Sequence, residues 1–460
     1  MNITRPVIVT CILAFFLGCL PPAPEPKTPP HDIETQSRLH TQQEPQTLTI
    51  FLTGNTLSTI KPCGCAEGQL GGFDRRQAVL NTVKPEKRLI IDTGNLITED
   101  TEQDRIKFDI ILQALLMLQY DLVALNETDF TIAHELGLLE NLPFNVIHSS
   151  RTDPTIPQTY QKRMQTKDYT LDINIAAINL LSEPIELIED LFPDENENPE
   201  LNILIIDDCD SYVIANLTEY QMLDVVVCPA TADEPEIIDS QTEKPLLITV
   251  GRLGKYCGKL SVQLTQDSTL TLGYTKLQVN EQLPQNLELV NLYKDYQLIV
   301  KEANLLEQVP KVPLPDELEY LGSQSCNMQP CHPAEFRTWA KNPHAKAYKT
   351  LIEAGSQYDP ECIVCHVVGL NYETGFVNEN SQYDLRDVGC EVCHGPDSKH
   401  MVAITMDEPD NKTSEPKAQC IDCHTPEHSP GYQGHEDEYR EKIRHWVEKV
   451  EQKDAYDVQK

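Results

Sequence analysis

The chain has 460 residues, 40% hydrophobic and 24% charged, a composition that reads as globular rather than disordered and leaves room for two to four domains. Its formal net charge of -35 excludes the basic footprint that nucleic acid or an anionic lipid surface requires, so small or basic partners are expected and nucleic acid is not. It carries 15 cysteines and 13 histidines, which crowd into the last third.

The first residues, "MNITRPVIVTCILAFFLGC", place Arg5 before an apolar run from Pro6 to Leu17, followed by Gly18 and Cys19. The run is too short to span a bilayer as a mature helix and reads as a secretory signal over residues 1–19. "FFLGC" resembles a bacterial lipobox, which implies cleavage before Cys19 and acylation of that cysteine; Phe16 departs from the usual residue, and an ordinary signal cleaved nearby is the alternative. Residues 20–46, rich in Pro, Gln and Glu without apolar periodicity, read as a tether that holds a domain off a membrane.

From Leu48 the pattern alternates between strand and helix. "LTIFLTGN", "RLIIDTGN", "YDLVALN", "LNILIIDD" and "LDVVVCPA" are β-rich runs ending in turn residues, and "DRIKFDIILQALLMLQY" between two of them is helical. This predicts an α/β domain over residues 47–283 with its functional loops after the strand C-termini. "LPQNLELVNLYKDYQLIVKEANLLEQ" predicts a helix, and the breaker-rich "VPKVPLPDELEYLG" comes after it, so residues 284–318 read as a helical linker.

Residues 319–460 show poor apolar periodicity, so something other than a side-chain core is expected to organise them. They hold three Cys-x-x-Cys-His units, at Cys362/Cys365/His366, Cys390/Cys393/His394 and Cys420/Cys423/His424, and a stretched relative, "CNMQPCH", at Cys326/Cys331/His332. Two thiols followed at once by imidazole suit covalent haem attachment, the thiols bonding the porphyrin and the histidine serving as proximal iron ligand. Zinc also uses Cys-x-x-Cys pairs, but it has no use for a histidine directly after every second cysteine. For the stretched unit, whose longer spacer must bulge, a disulfide or isolated thiol pair is the competing reading.

The segments "YLGSQSC", "CHPAEFRTWAKNPHAKAYKTL", "CIVCHVVGLNYETGF", "VGCEVCHGPDSKH" and "CIDCHTPEHSPGY" resemble the cytochrome c-554 type of tetrahaem cytochrome c over residues 319–446. The resemblance implies a mainly α, loop-rich multihaem domain with four haem c groups that passes electrons between redox partner proteins. It also implies distal ligands at His344 and His400. His445, on an expected terminal helix beside Trp446, resembles a late distal histidine of related chains, whereas His428 and His435 read as loop residues. A haem left without a sixth protein ligand is the family's place for binding a small molecule. Paired imidazoles and nearby carboxylates favour oxidised iron, so low potentials are expected.

The strand-end segments "FLTGNTLS", "IIDTGN", "DLVALNETDF", "VVVCPATA" and "VGRLGKYCGKLSV" resemble the metallophosphoesterase domain of the 5'-nucleotidase family. The resemblance puts Asn55, Leu57, Asn95, Glu127, Thr128, Ala230 and Ala232 at the positions that bind two metal ions there. Asparagine, leucine and alanine do not supply the anionic and imidazole ligands that such ions need, so phosphoesterase activity is not expected.

"KPCGCAEGQLGGFDRR" lies after the first strand. Cys63 and Cys65 with Cys228, and Cys209 close by, allow an additional thiolate metal site, but in an oxidising compartment disulfide pairing or buried free thiols is the preferred reading. "FDRR" reads as a helix start with Asp74 near its N-terminus and Arg75 and Arg76 solvated, in preference to a phosphate clamp. The lone "DTG" at Asp92 fits a strand turn and not an aspartic protease.

Together these features describe an exported lipoprotein of the bacterial cell envelope, facing the periplasm, whose degenerate phosphoesterase-like domain precedes a tetrahaem electron carrier. Catalysis at a five-coordinate haem, on a small nitrogen or sulfur compound, is one alternative. A metal-dependent phosphoesterase fused to a cytochrome is the other.

Overall fold

Two six-stranded sheets form the N-terminal part of the chain, in strand orders β12-β11-β1-β2-β3-β4 and β5-β6-β7-β8-β10-β9. The computed structural model describes residues 47–62, 68–151, 155–165, 170–192, 198–207, 209–239, 245–265, 269–329, 331–380, 383–407 and 415–445. The signal and tether read over residues 1–46, together with Cys63, Cys65 and Trp446, lie outside the described residues.

In the first sheet, β1 (Thr47–Thr53), β2 (Arg88–Asp92), β3 (Leu122–Leu125) and β4 (Asn145–His148) run parallel. In the second, β5 (Thr159–Gln165) pairs antiparallel with β6 (Thr170–Ile178), which leads a parallel set with β7 (Glu200–Ile206) and β8 (Val225–Val227). An antiparallel edge, β9 (Ile237–Asp239), lies next to β10 (Leu246–Ile248). The hairpin of β11 (Tyr256–Leu264) and β12 (Leu270–Gln278) returns to the first sheet, where β11 pairs antiparallel with β1.

The two-residue period of the strands sorts their side chains into layers. Ile50, Leu52, Leu89 and Ile91 of the first sheet meet Ile173, Leu201, Ile203 and Val225 of the second in an inner core. Phe51 and Ile90 point the other way, toward helices α1 (Phe73–Leu80), α2 (Glu102–Met117) and α3 (Glu127–Glu135). Leu204, Ile206 and Val226 face α4 (Ile188–Leu191) and α5 (Ser211–Leu217) on the far side. Strands covered on both faces read as continuous apolar runs, and this is why "LNILII" and "DVVV" lack alternation. Side-chain caps start the helices: Thr101 accepts from Asp104 N, Asn126 from Asp129 N and Asp210 from Val213 N.

The helix predicted after residue 283 is α6 (Leu287–Glu302), capped by Asn286. Its Leu289, Leu292, Tyr296 and Val300 join the helical layer outside the first sheet. Pro45–Lys460 forms one compact unit, so the α/β part and the C-terminal part belong to a continuous structure. Lys107 of α2 binds both carboxylate oxygens of Glu361 at 2.6 Å.

The C-terminal part consists of short helices and turns: α7 (Leu305–Gln308), α8 (Ser323–Cys326), α9 (Pro333–Trp339), α10 (Ala347–Ala354), α11 (Pro360–Ile363), α12 (Cys390–His394), α13 (Ser398–Met406) and α14 (Glu436–Ile443). A small side-chain core does exist here, contrary to expectation. Tyr348, Leu351, Ile363, Val368, Phe376 and Leu385 bury one another, and the irregular spacing of these residues hides them from a periodicity search.

Candidate haem-binding site

Each Cys-His unit closes on itself through the backbone. In the fourth unit His424 N donates to Cys420 O at 2.9 Å, and in the second His366 N donates to Ile363 O at 2.8 Å. The stretched first unit keeps the equivalent closure: His332 N donates to Cys326 O at 2.9 Å, and the extra residues are absorbed in a turn where Cys331 N donates to Met328 O at 2.7 Å. The first cysteine and its histidine thus stay in backbone contact despite the longer spacer.

The third unit is anchored to the first. Ser323 Oγ accepts from Cys390 N at 3.1 Å, and a Cβ at Gly389 would stand 2.6 Å from that oxygen. Buried Glu391 accepts from the backbone of Leu321, Gly322 and Asp397, which fixes α12 against the chain before α8. The thiols of Cys326 and Cys390 lie within hydrogen-bonding reach, as do those of Cys365 and Cys423, and Cys393 feels the charge of Cys420. The thiols therefore trace the units in the order first, third, fourth, second.

The histidines expected as distal partners come to the proximal ones in pairs. His332 and His400 of α13 have ring centres 6.3 Å apart with planes 21° apart, His424 and His344 6.1 Å with planes 40° apart, and His394 and His445 6.0 Å with planes nearly perpendicular at 87°. Two metal–nitrogen bonds of about 2 Å end to end, plus roughly 1 Å from each nitrogen to its ring centre, require about 6 Å. A tetrahedral zinc site needs four ligands at one point, whereas the described residues hold facing imidazoles and no group of three or more His, Cys, Asp or Glu fit for a bare ion. His445 corrects one detail: α14 ends at Ile443, so this histidine lies beyond the helix and not on it.

His366 differs from the other three. Among the described residues no imidazole ring faces it. Its Nδ1 contacts Ala347 O at 2.6 Å, which fixes the ring and leaves Nε2 as the atom that could coordinate a metal. His424 is oriented similarly, Nδ1 to Ser429 Oγ at 3.0 Å, with the rings of Tyr432 and Tyr439 packed against it. Burial holds His344 and His424 below the usual imidazole range, and at His344 the charges of His424 and His366 act in the same direction. Neutral imidazole is the form that binds iron. Ser429, the Ala347 carbonyl and the two tyrosines carry no sequence signal, because their roles depend on contacts made through the fold.

At the strand ends of the α/β part, Asn55 and Asn95 join Asn126 in a chain of side-chain amides. Asn126 Nδ2 donates to Asn95 Oδ1 at 2.5 Å, Asn95 Nδ2 to Asn55 Oδ1 at 2.9 Å and Asn55 Nδ2 to Gly251 O at 3.0 Å. The sequence alone does not single out Asn126; its place as the cap of α3 is the available signal. The amides bind each other, and a dinuclear metal centre does not fit there. Glu127 instead lies 3.5 Å from buried His148.

The thiolate site built on Cys228 is overturned, because Cys228 forms a disulfide with Cys209, with Cα atoms 5.7 Å apart, and a disulfide sulfur is no thiolate ligand. The solvated reading of Arg76 is corrected as well. Arg76 is 1% exposed, lies over the Phe73 ring and donates to Tyr120 Oη at 3.1 Å.

Comparison with known proteins separates the two parts. Residues 325–395, which hold the first three units, match the family described as "Cytochrome c554 and c-prime". A cytochrome c-554 from Nitrosomonas europaea is 32% identical over 90 residues, covering 16% of this chain and 37% of the relative, so the likeness spans little more than a third of that protein. Among solved structures, a 5'-nucleotidase precursor from Thermus thermophilus is 13% identical, covering 67% of this chain and 68% of its own, with a TM-score of 0.42. A sulfate thiohydrolase, SoxB, from the same genus is 14% identical, covering 55% and 61%, with a TM-score of 0.41.

Proposed function

We propose that the chain is an exported multihaem c-type cytochrome that carries electrons at the cell envelope. The observation that carries this reading is the facing of His332 with His400, His424 with His344 and His394 with His445 at the separation that two axial ligands require. Cys326 and Cys331, Cys362 and Cys365, Cys390 and Cys393, and Cys420 and Cys423 would each hold one haem c, which supplies reversible one-electron chemistry when attached. The residues of the chain orient the imidazoles, lower the proton affinity of His344 and His424 by burial and keep the attachment points adjacent. Export by residues 1–19 and anchoring through Cys19 belong to the same proposal. Among the described residues no helix is long and apolar enough to cross a membrane.

His366 favours a second reading. An iron held by His366 without a facing imidazole would keep one position open, so binding or turnover of a small nitrogen or sulfur compound belongs there. Phosphoester hydrolysis finds no support in the amide-filled strand ends.

His344→Ala in the haem-loaded chain tests the ligand assignment. It should convert one low-spin centre to high-spin in the absorption and electron paramagnetic resonance spectra, and leave haem content unchanged. An unaltered spectrum would remove His344 from the ligand set.

A further inference from the structure

The peptide group between Ala347 and Tyr348, at the start of α10, joins His366 to a carboxylate. Its carbonyl oxygen, Ala347 O, lies 2.6 Å from His366 Nδ1, and its N–H, on Tyr348, donates to Asp387 Oδ1 at 2.9 Å. With Nε2 turned to an iron, Nδ1 carries the ring proton and donates to that oxygen. Asp387 is half-buried. Burial raises its pKa, while the Tyr348 N–H, Arg386 and His366 all favour its charged form.

Hydrogen bonds in a chain polarise one another, so a peptide whose N–H is bound to a carboxylate has a more negative carbonyl oxygen. That oxygen draws the Nδ1 proton more strongly and makes the imidazole a more basic ligand. His424 differs, since its Nδ1 meets the neutral Ser429 hydroxyl at 3.0 Å. One contact opposes the effect at His366: Thr350 Oγ1 donates to the same Ala347 O at 2.6 Å and competes with Nδ1 for it.

We propose that Asp387 is a positioning residue that acts on His366 through the Ala347–Tyr348 peptide, raising the basicity of the imidazole and lowering the reduction potential of the iron it holds. The inference rests on the reading of His366 as the only protein ligand on its side of an open iron.

The test uses the haem-loaded full-length chain. Resonance Raman spectra of the reduced protein give the iron–histidine stretch, which arises from five-coordinate haem, and a potential titration followed in the high-spin absorption gives the reduction equilibrium of the same centre. Asp387→Asn keeps an oxygen for Tyr348 N, suits the left-handed φ of 70° at this position and removes only the charge. It should move the stretch to lower frequency and shift that equilibrium toward the reduced form by about threefold, as expected when one hydrogen bond loses roughly a fifth of its strength with its neighbour. The low-spin centres should keep their potentials. Thr350→Val removes the competing donor and should move both readouts the other way, which decides the matter if Asp387→Asn fails to load haem. A stretch that is present and unmoved in these variants overturns the proposal alone. A shifted potential with an unmoved stretch also overturns it, since the carboxylate would then act through space and not through the imidazole. Absence of the stretch from the wild-type protein overturns the reading of His366 itself, and the proposal with it.

Discussion

Arg76 shows how far a single side chain departs from what its neighbours in sequence suggest. "FDRR" looks like an exposed helix start, and Arg75 next to it is only half-buried, yet Arg76 is enclosed beside Tyr120 and the buried carboxyl of Asp92. Helix periodicity does not reveal this, because the pocket that receives the guanidinium is assembled from β2 and the end of α2. Arg76→Met removes the donor to Tyr120 Oη and the positive charge that favours ionised Asp92, and should lower the unfolding free energy by about 1–3 kcal/mol, read as a drop in the denaturant midpoint. Asp129 provides a second test at this scale. Burial pushes its pKa up to about 7, against the backbone donors of Leu96 and Ile97 that favour the charged form. Because the folded pKa lies above the unfolded one, its contribution to stability is full below about pH 4 and is lost as pH rises through 7. Asp129→Asn should therefore flatten that part of the Tm profile between pH 4 and pH 7, and identical slopes for the two proteins would contradict the assignment.

The long elements were legible in the sequence where apolar spacing and capping agree. α6 falls within its predicted range, and α2 starts two residues ahead of the predicted Asp104, after the cap Thr101; each has a polar cap ahead of its apolar stripe. The short helices of the C-terminal part were not, since elements of four or five residues are defined by turn bonds and neighbours and not by periodicity. α11, which carries Cys362, is an example. Its cap, Asp359, is 3% exposed and accepts from Gln103 of α2, from Tyr296 and Gln297 of α6 and from Glu361 N. The α/β part thus holds the start of the second Cys-x-x-Cys-His turn. Asp359→Ala removes the cap and the acceptor of the Tyr296 hydroxyl, while Gln103 and Gln297 keep their bonds to Tyr296 Oη and Tyr293 Oη, for an expected loss of about 1–3 kcal/mol. In limited proteolysis cleavage should appear first near residues 356–366; protection equal to wild type would show that the turn is held by other means.

At the scale of the whole molecule, the four Cys-His units are readable in the sequence, and His344, His400 and His445 are readable as candidate partners, but which histidine each one approaches is not. The matching depends on how α13, the turn at His344 and the segment after α14 fold back, and spacing carries none of that. It gives three facing pairs and leaves His366 alone among the described residues. The most direct measurement is the haem content of the mature chain, made in a host with haem-maturation machinery, together with the spin state of the oxidised protein. Four haems per chain, three low-spin and one high-spin that responds to an added small ligand, is the predicted result. Fewer than four haems, or four that are all low-spin, would contradict the account of His366 or of the stretched first unit.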